Sequence, residues 1–346
     1  MKVLVTGGCG FLGSHVCEYY KSLGEEVVAF DNLTKHELIR TGYNVELARE
    51  YNLNFLKNIG VSFVKGDIRN KEELFRVAKD CDFIVHTAAQ PAMTISIEQP
   101  ELDITTNVLG TFNVLEAARK FDLPIVNSST IHVYGNKINE SLKEAETRFV
   151  REPPEIDEDH PILQGKLTPL HASKRSAEIY VQTYIDTYGL KAANFRFTGL
   201  YGPRQLGGED HGWVANFVIR TLLGLPIKIF GTDKQVRDIL YAKDAAESFD
   251  AFYKKQIVGT YNIGGGISNA ISLGECLKLI SEETGIKQNI IYEPPRHGDL
   301  WYFVCDIRKA KEKLGWKPKT SNIDGIRNLI QWVKCNIYLF SMAEQK

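Results

Sequence analysis

The sequence predicts an α/β protein, with a doubly wound parallel sheet followed by a smaller, mixed α/β C-terminal lobe. Three observations lead there. Short apolar runs alternate with amphipathic helical stretches through the first half, as in consecutive βα units that cover both faces of a parallel sheet. A glycine cluster, Thr6-Gly7-Gly8-Cys9-Gly10-Phe11-Leu12-Gly13, separates the first run from the first helical stretch. At 346 residues the chain also exceeds the usual single core, so two lobes are expected.

Residues 3–5 form an apolar run too short for anything but a buried parallel strand. Residues 11–23 then read as a helix, 26–30 as a strand ending at Asp31, 44–58 as a helix and 61–64 as a third strand. A helix over 71–78 and a strand over 83–85 follow. Residues 102–120 predict a long helix with Ile104, Val108, Phe112 and Leu115 on one face, and 124–126 a fifth strand. The stretch 136–169 carries Pro153, Pro154, Pro161 and Pro169 among many acids and reads as a long surface loop, a length usually reserved for function or disorder. A helix over 170–188 and a strand over 193–197 close the regular part. We therefore expect a cofactor lobe over 1–196, to which 231–265 returns, a substrate lobe over 197–230 and 266–336, and a tail over 337–346.

Composition narrows the function. Hydrophobic residues are 43% and charged residues 25%, as in ordinary globular proteins. A formal net charge of -1 argues against a nucleic-acid binder, yet local Arg and Lys can still serve one anionic ligand. The run at 3–5 is far shorter than a signal-peptide core, and no run is long enough to span a bilayer. The six cysteines (Cys9, Cys17, Cys81, Cys276, Cys305, Cys335) are scattered without a CxxC pair. A cytoplasmic protein with reduced thiols, no metal and no membrane partner is expected.

The glycine cluster carries the chemistry. Gly7, Gly10 and Gly13 form GxxGxxG between a strand and a helix, which allows a tight turn and close backbone approach to a pyrophosphate at the helix N-terminus. Asp31, at the end of the second strand, is placed to accept hydrogen bonds from a ribose diol and would repel a 2′-phosphate, so a Rossmann fold binding NAD rather than NADP is expected. Asp67 and Ile68 after the third strand would flank an adenine, and the small Ala88 and Ala89 after the fourth would let the cofactor pass. His86 reads as a satisfied structural histidine, and Asn107 as a tie between helix and sheet.

With these motifs the chain resembles the extended short-chain dehydrogenase/reductase family, specifically its nucleotide-sugar epimerases and dehydratases. TGGCGFLGSH, GDIR, HTAAQP, NVLGTFNVLEAAR, SSTIHVYG, LYGPRQ, QVRDILYAKDAA, YNIGGG and DIRKAKEKLGWKP fall in the family's order over nearly the whole chain. The stretches EAETRF, YGPRQLGGEDHGWVANF and KQVRDIL most resemble its branch of CDP-sugar 2-epimerases. The resemblance implies transient hydride transfer to tightly held NAD. It adds Phe11, Leu12, Asn32, Asn107, Ser128 and Lys174 to the cofactor site. It assigns Thr130 to the sugar hydroxyl and Lys174 to the nicotinamide ribose. Gln90, Arg204, Gln205, Trp213, Val214, Gln235, Arg237 and Arg296 fall on the nucleotide-sugar side, with Arg237 and Arg296 as diphosphate contacts. It also implies a homodimer in which helices 102–120 and 170–188, the latter with Tyr180, Val181 and Tyr184, form a four-helix bundle across a twofold axis.

One position departs from the family. Its pattern has a tyrosine four residues before the lysine, where this chain has Leu170, which exchanges no proton. His171, three residues before Lys174 on the same predicted helix, is the nearest substitute base, and Tyr134 a second. A 4-epimerase or 4,6-dehydratase and a non-catalytic NAD- and sugar-nucleotide-binding protein stay open. The dehydratase is disfavoured because Ile131-His132 replaces the Asp-Glu pair that such enzymes show.

Overall fold

The computed structural model describes residues 1–34, 41 and 45–340. Strand β1 (Lys2–Thr6) leads through the glycine turn into α1 (Phe11–Ser22). The alternation continues with β2 (Glu26–Asp31), α2 (Val45–Asn58), β3 (Ser62–Lys65), α3 (Lys71–Ala78) and β4 (Phe83–His86). Helices α4 (Met93–Glu98), α5 (Pro100–Ile104) and α6 (Thr111–Phe121) precede β5 (Ile125–Thr130). The expected helix start at Asn44 and tail residues 341–346 lie outside the described residues.

A short hairpin of β6 (Lys143–Glu144) and β7 (Phe149–Val150) precedes α7 (Pro169–Tyr188) and β8 (Ala192–Phe197). Then come β9 (Gly199–Tyr201), α8 (Trp213–Leu222), β10 (Ile227–Phe230), β11 (Val236–Tyr241), α9 (Ala242–Lys255) and β12 (Gly259–Ile263). The chain ends with β13 (Ala270–Ser272), α10 (Leu273–Thr284), β14 (Ile290–Glu293), β15 (Tyr302–Phe303) and α11 (Asn322–Cys335).

Seven of these strands pair in the order β3-β2-β1-β4-β5-β8-β12, every neighbour parallel. This is the expected doubly wound sheet. The strand order reverses between β1 and β4, and in such sheets ligands bind beyond the carboxyl ends at that point. Alternation along a strand fills both layers. Val3 and Val5 join Phe83, Phe195 and Phe249 on one face, while Leu4 joins Ile84, Val114 and Val181 on the other. Each such side chain contributes roughly 1.5–3 kcal/mol by leaving water.

The returning segment splits. β12 and α9 belong to the large sheet and its helical cover, whereas β11 joins a smaller mixed sheet with β9, β13 and β15. The pair β10–β14 and helices α8, α10 and α11 enclose a separate core around Phe217, Ile229, Leu277 and Ile330.

Three expectations need correction. The fifth strand is longer than 124–126, because Asn127, Ser128, Ser129 and Thr130 pair in register with Asn194–Phe197. Their polarity concealed a strand in which three of the four side chains find partners, such as Asn127 Nδ2 donating to Asn194 Oδ1 at 2.8 Å. The long helix is interrupted by a π-helical stretch, Thr105–Gly110, between α5 and α6. That wider turn breaks the predicted face: Ile104 is 56% exposed, and the side turned inward carries Asp103, Asn107, Gly110 and Thr111. Finally, the proline-rich stretch is the expected irregular loop, but it carries the β6–β7 hairpin and is not wholly on the surface, since Phe149 and Ile156 are buried. Phe149 stacks on Trp301 at 5.5 Å, and Ile156 bridges to Cys305.

Candidate functional site

A cavity of about 730 Å³ lies beyond the carboxyl ends of β1, β2, β4 and β5, where the sheet order reverses, and reaches the smaller lobe. Its floor is the glycine turn. Gly7 has φ +69°, and a Cβ there would sit 2.6 Å from Ala88 N. A Cβ on Gly13 would meet Gly7 O at 2.1 Å, so that glycine is required for the helix to pack on the turn. Gly10 caps α1 with no side-chain hydrogen bond, which leaves first-turn N–H groups for an anion.

Asp31 ends β2 on the cavity wall. Its Oδ2 accepts from Cys9 N at 2.9 Å and its Oδ1 from Leu33 N at 2.7 Å, so the carboxylate also fastens the turn. Asn32 Nδ2 donates to Asp67 Oδ2 at 3.0 Å. Partial burial works to raise the Asp67 carboxyl, but hydrogen bonds from Arg69 and Asn32 hold it down at about 2.

Among the described residues, six polar atoms on the cavity wall are buried without a hydrogen-bond partner: Asn52 Oδ1, Thr94 Oγ1, Ser128 Oγ, His132 Nδ1, Gln205 Oε1 and His211 Nδ1. Orphans of this kind are costly unless a ligand or water satisfies them. Together with the glycine cradle and the acidic end of β2, they fit a dinucleotide followed by a polar second ligand. The cofactor, when bound, supplies hydride acceptance and return. The chain would hold it with the glycine turn, the Asp31 carboxylate and the polar wall.

Of the site residues singled out from the sequence, Gly13, His86, Asn107, Tyr134, His171 and Val214 fall outside the cavity wall, and the others line it. Asn107 Nδ2 donates to Gln90 O, Asp103 Oδ1 and Ser173 Oγ at 3.0, 3.0 and 3.1 Å, which ties α7 to the loop after β4. His86 bridges the hydroxyls of Thr6 and Thr111 at 2.7 and 3.0 Å, a structural arrangement.

His171 is a correction. It occupies the third helical position of α7 in a capping box, where its Nδ1 accepts from Thr168 N at 3.0 Å. It is 1% exposed, and burial pushes its pKa down to about 4. The helical spacing put it near Lys174 but gave no sign that Thr168 would claim its ring. Tyr134 is also committed: its hydroxyl donates to Asn262 Oδ1 at 2.8 Å, and burial pushes its pKa up.

Leu170 does line the cavity, 2% exposed, one turn before Lys174. Lys174 Nζ donates to Ser128 O at 3.2 Å. Burial pushes the ammonium down to about 8, against the pull of Asp103 and Glu178. Thr130 Oγ1 accepts from His132 N at 3.2 Å at the end of β5.

On the smaller lobe, Arg204 has φ +67° and its donors are taken by Ser14 Oγ at 3.1 Å and Glu18 Oε2 at 2.6 Å, so it braces the loop on α1. Arg237 donates to Val236 O at 2.8 Å and to Leu300 O, and burial pushes it down to about 10. Arg296 lies 4.4 Å over the Phe230 ring and donates to Glu209 O at 2.8 Å. Two cations thus share one wall of the cavity with Asp299 as the nearby acid. Sequence reasoning missed Asn52, Thr94 and His211. It noted His132 only for what it excludes, although its position two residues after Thr130 was a usable signal.

A family model described as the NAD dependent epimerase/dehydratase family matches residues 3–264. The chain is similar to CDP-paratose 2-epimerase of Salmonella typhi, 36% identical over 96% of this chain and 99% of the relative. Among solved structures it is similar to UDP-glucose 4-epimerase of Thermotoga maritima with UDP-glucose, with a TM-score of 0.82 and 30% identity over 97% and 100% of the two chains. It is also similar to the UDP-glucose 4-epimerase of Thermus thermophilus in complex with NAD, with a TM-score of 0.80 and 33% identity over 96% and 99%. By sequence and by fold, the chain belongs to the NAD-dependent epimerase/dehydratase family.

Proposed function

We propose that the chain is an NAD-dependent 2-epimerase acting on a CDP-linked or related nucleotide sugar. The observation that carries this reading is one continuous cavity whose wall includes the glycine turn, Asp31, Thr130, Lys174, Arg237 and Arg296. Likeness to the Salmonella enzyme favours carbon 2 and a CDP carrier. In this reading Gly7 and Gly10 receive the cofactor pyrophosphate and Asp31 its adenosine ribose. Thr130 holds the reacting hydroxyl, Lys174 the nicotinamide ribose, and Arg237 with Arg296 the substrate diphosphate.

Incubation with CDP-, UDP- and GDP-sugars, followed by NMR analysis of the sugar, tests it. Inversion at carbon 2 of a CDP-sugar is expected. Inversion at carbon 4 would assign the chain to the 4-epimerases, and loss of water to the dehydratases. Binding of NAD and nucleotide sugar without turnover would support the second reading, a binding protein disabled by Leu170.

We also propose a homodimer built on α5–α7. Ile104, Leu109, Ile179 and Tyr180 on these helices and the intervening π turn are 43–56% exposed, a cluster of apolar surface that pairing would cover. Light scattering at micromolar concentration should give twice the chain mass, and a monomer mass would reject the pairing.

A further inference from the structure

Oxidising a sugar hydroxyl needs a group that takes its proton, and the usual position is occupied by Leu170. We propose that His132, through Nδ1, takes the proton of the reacting hydroxyl and later returns it. This rests on the epimerase reading above and deepens it.

The geometry is local to the end of β5. The chain turns directly from Thr130 into a 3-10 turn, Ile131–Tyr134. The Thr130 hydroxyl accepts from His132 N at 3.2 Å, so the group that would hold the sugar hydroxyl and the imidazole share one turn. His132 lines the cavity, and its Nδ1 is buried without a hydrogen-bond partner. The ring packs edge-on against His171, with centroids 5.8 Å apart and planes at 82°. His171 is itself fastened to Thr168 N at 3.0 Å, so it presents a fixed surface to the His132 ring. With the ring proton on Nε2, Nδ1 is an acceptor waiting for a donor.

The other groups on the wall fit the task less well. Leu170 has no exchangeable proton. Thr130 is too weak a base, and Lys174 donates to Ser128 O. Glu209 pairs with Lys228 at 3.5 Å and Asp299 with Arg296 at 3.4 Å. His211, whose Nδ1 is also buried without a partner, sits on the loop before α8 rather than beside Thr130.

Charge gives the group its timing. Burial, then the neighbouring His171, Arg237 and Arg296, hold His132 at about 3, so its lone pair is free at neutral pH. Arg296 is partly offset by Asp299. A diphosphate on the two arginines would cancel their push and raise the basicity of Nδ1 only when substrate is present. In the step, the O–H bond breaks and its proton goes to Nδ1, giving an imidazolium. The C–H electron pair leaves as hydride to the nicotinamide dinucleotide, and a carbonyl forms. Reversal on the opposite face restores the alcohol, the neutral imidazole and the cofactor.

The test compares the unmodified protein with His132→Gln and His132→Ala, and follows histidine nitrogen NMR of the unmodified protein with CDP or CDP-glucose added. Turnover should fall about 10²–10⁴-fold in both variants while NAD and CDP affinities stay within about threefold, and added imidazole should restore part of the His132→Ala rate. The His132 Nδ1 resonance should move with CDP-glucose beyond any change seen with CDP. Equal turnover in His132→Gln overturns the assignment and leaves the epimerase reading standing. Absence of turnover by the unmodified protein with every nucleotide sugar overturns that reading and the proton transfer with it. The resonance then decides whether the ring touches the sugar at all, and identical signals with CDP and CDP-glucose overturn that contact too.

Discussion

In the His132→Gln background, Leu170→Tyr is expected to raise turnover about 10²–10⁴-fold, the range that a positioned acid–base group contributes. Leu170 lies in the first turn of α7 with its side chain on the cavity wall, so a larger ring has open space ahead of it. Its phenol would arrive one helical turn before the Lys174 ammonium, whose charge favours phenolate over phenol. Burial sets Lys174 at about 8, so this assistance is complete below pH 8 and is lost as pH rises through it. The rate of the Leu170→Tyr variant should therefore fall on the alkaline side, as product analysis across pH would show. The combination with His132→Gln separates two accounts. If the two groups are alternative bases, the double variant keeps most of the rate that Leu170→Tyr alone reaches. A double variant no faster than His132→Gln alone would mean that a phenol at position 170 does not serve as the base.

The residues that gave the fold away are those whose signals are local. Val3–Val5, the glycine turn and Asp31 lie within one βα unit, so period and turn chemistry were enough to place a dinucleotide cradle. The second lobe was opaque for the opposite reason. Its strands are as short as the two residues Tyr302–Phe303, and β11 pairs with partners drawn from 199–201, 270–272 and 302–303. No window of sequence contains such an arrangement. The π stretch Thr105–Gly110 escaped because Thr105 and Thr111 hydroxyls hydrogen-bond to carbonyls four residues back, which a hydrophobic pattern does not register.

The site divides in the same way. Leu170 was legible because it breaks a spacing, whereas the roles of His171 and His132 depended on which ring Thr168 claims. Sequence distance to Lys174 favoured His171. The capping box removed it and left the histidine on β5's turn facing the cavity.

Beneath β5 lies the interaction whose loss should cost the most stability. Glu178, fully buried on α7, accepts from Ser129 Oγ at 2.6 Å, from Arg196 Nε and Nη2 at 2.9 Å each, and from Arg175 Nη1 at 2.9 Å. Arg196, on β8, also donates to the Tyr134 hydroxyl at 2.9 Å and stacks 4.8 Å over that ring. One carboxylate thus joins α7, β5 and β8, directly under the Thr130 turn. Burial opposes the Arg196 charge, and the Glu178 hydrogen bonds override that and hold it protonated. Glu178→Ala would leave this cation buried and unpaired, at a cost of about 3–5 kcal/mol. Glu178→Gln keeps some hydrogen bonds but not the charge, and should fall between. Replacing both partners, as in Glu178→Gln with Arg196→Met, should recover part of the loss, because an apolar side chain needs no counter-charge. Urea unfolding midpoints of the three variants check the order. A Glu178→Ala protein within about 1 kcal/mol of the parent would show that the network does not hold β5 in place, since a cation left buried and unpaired costs several times that.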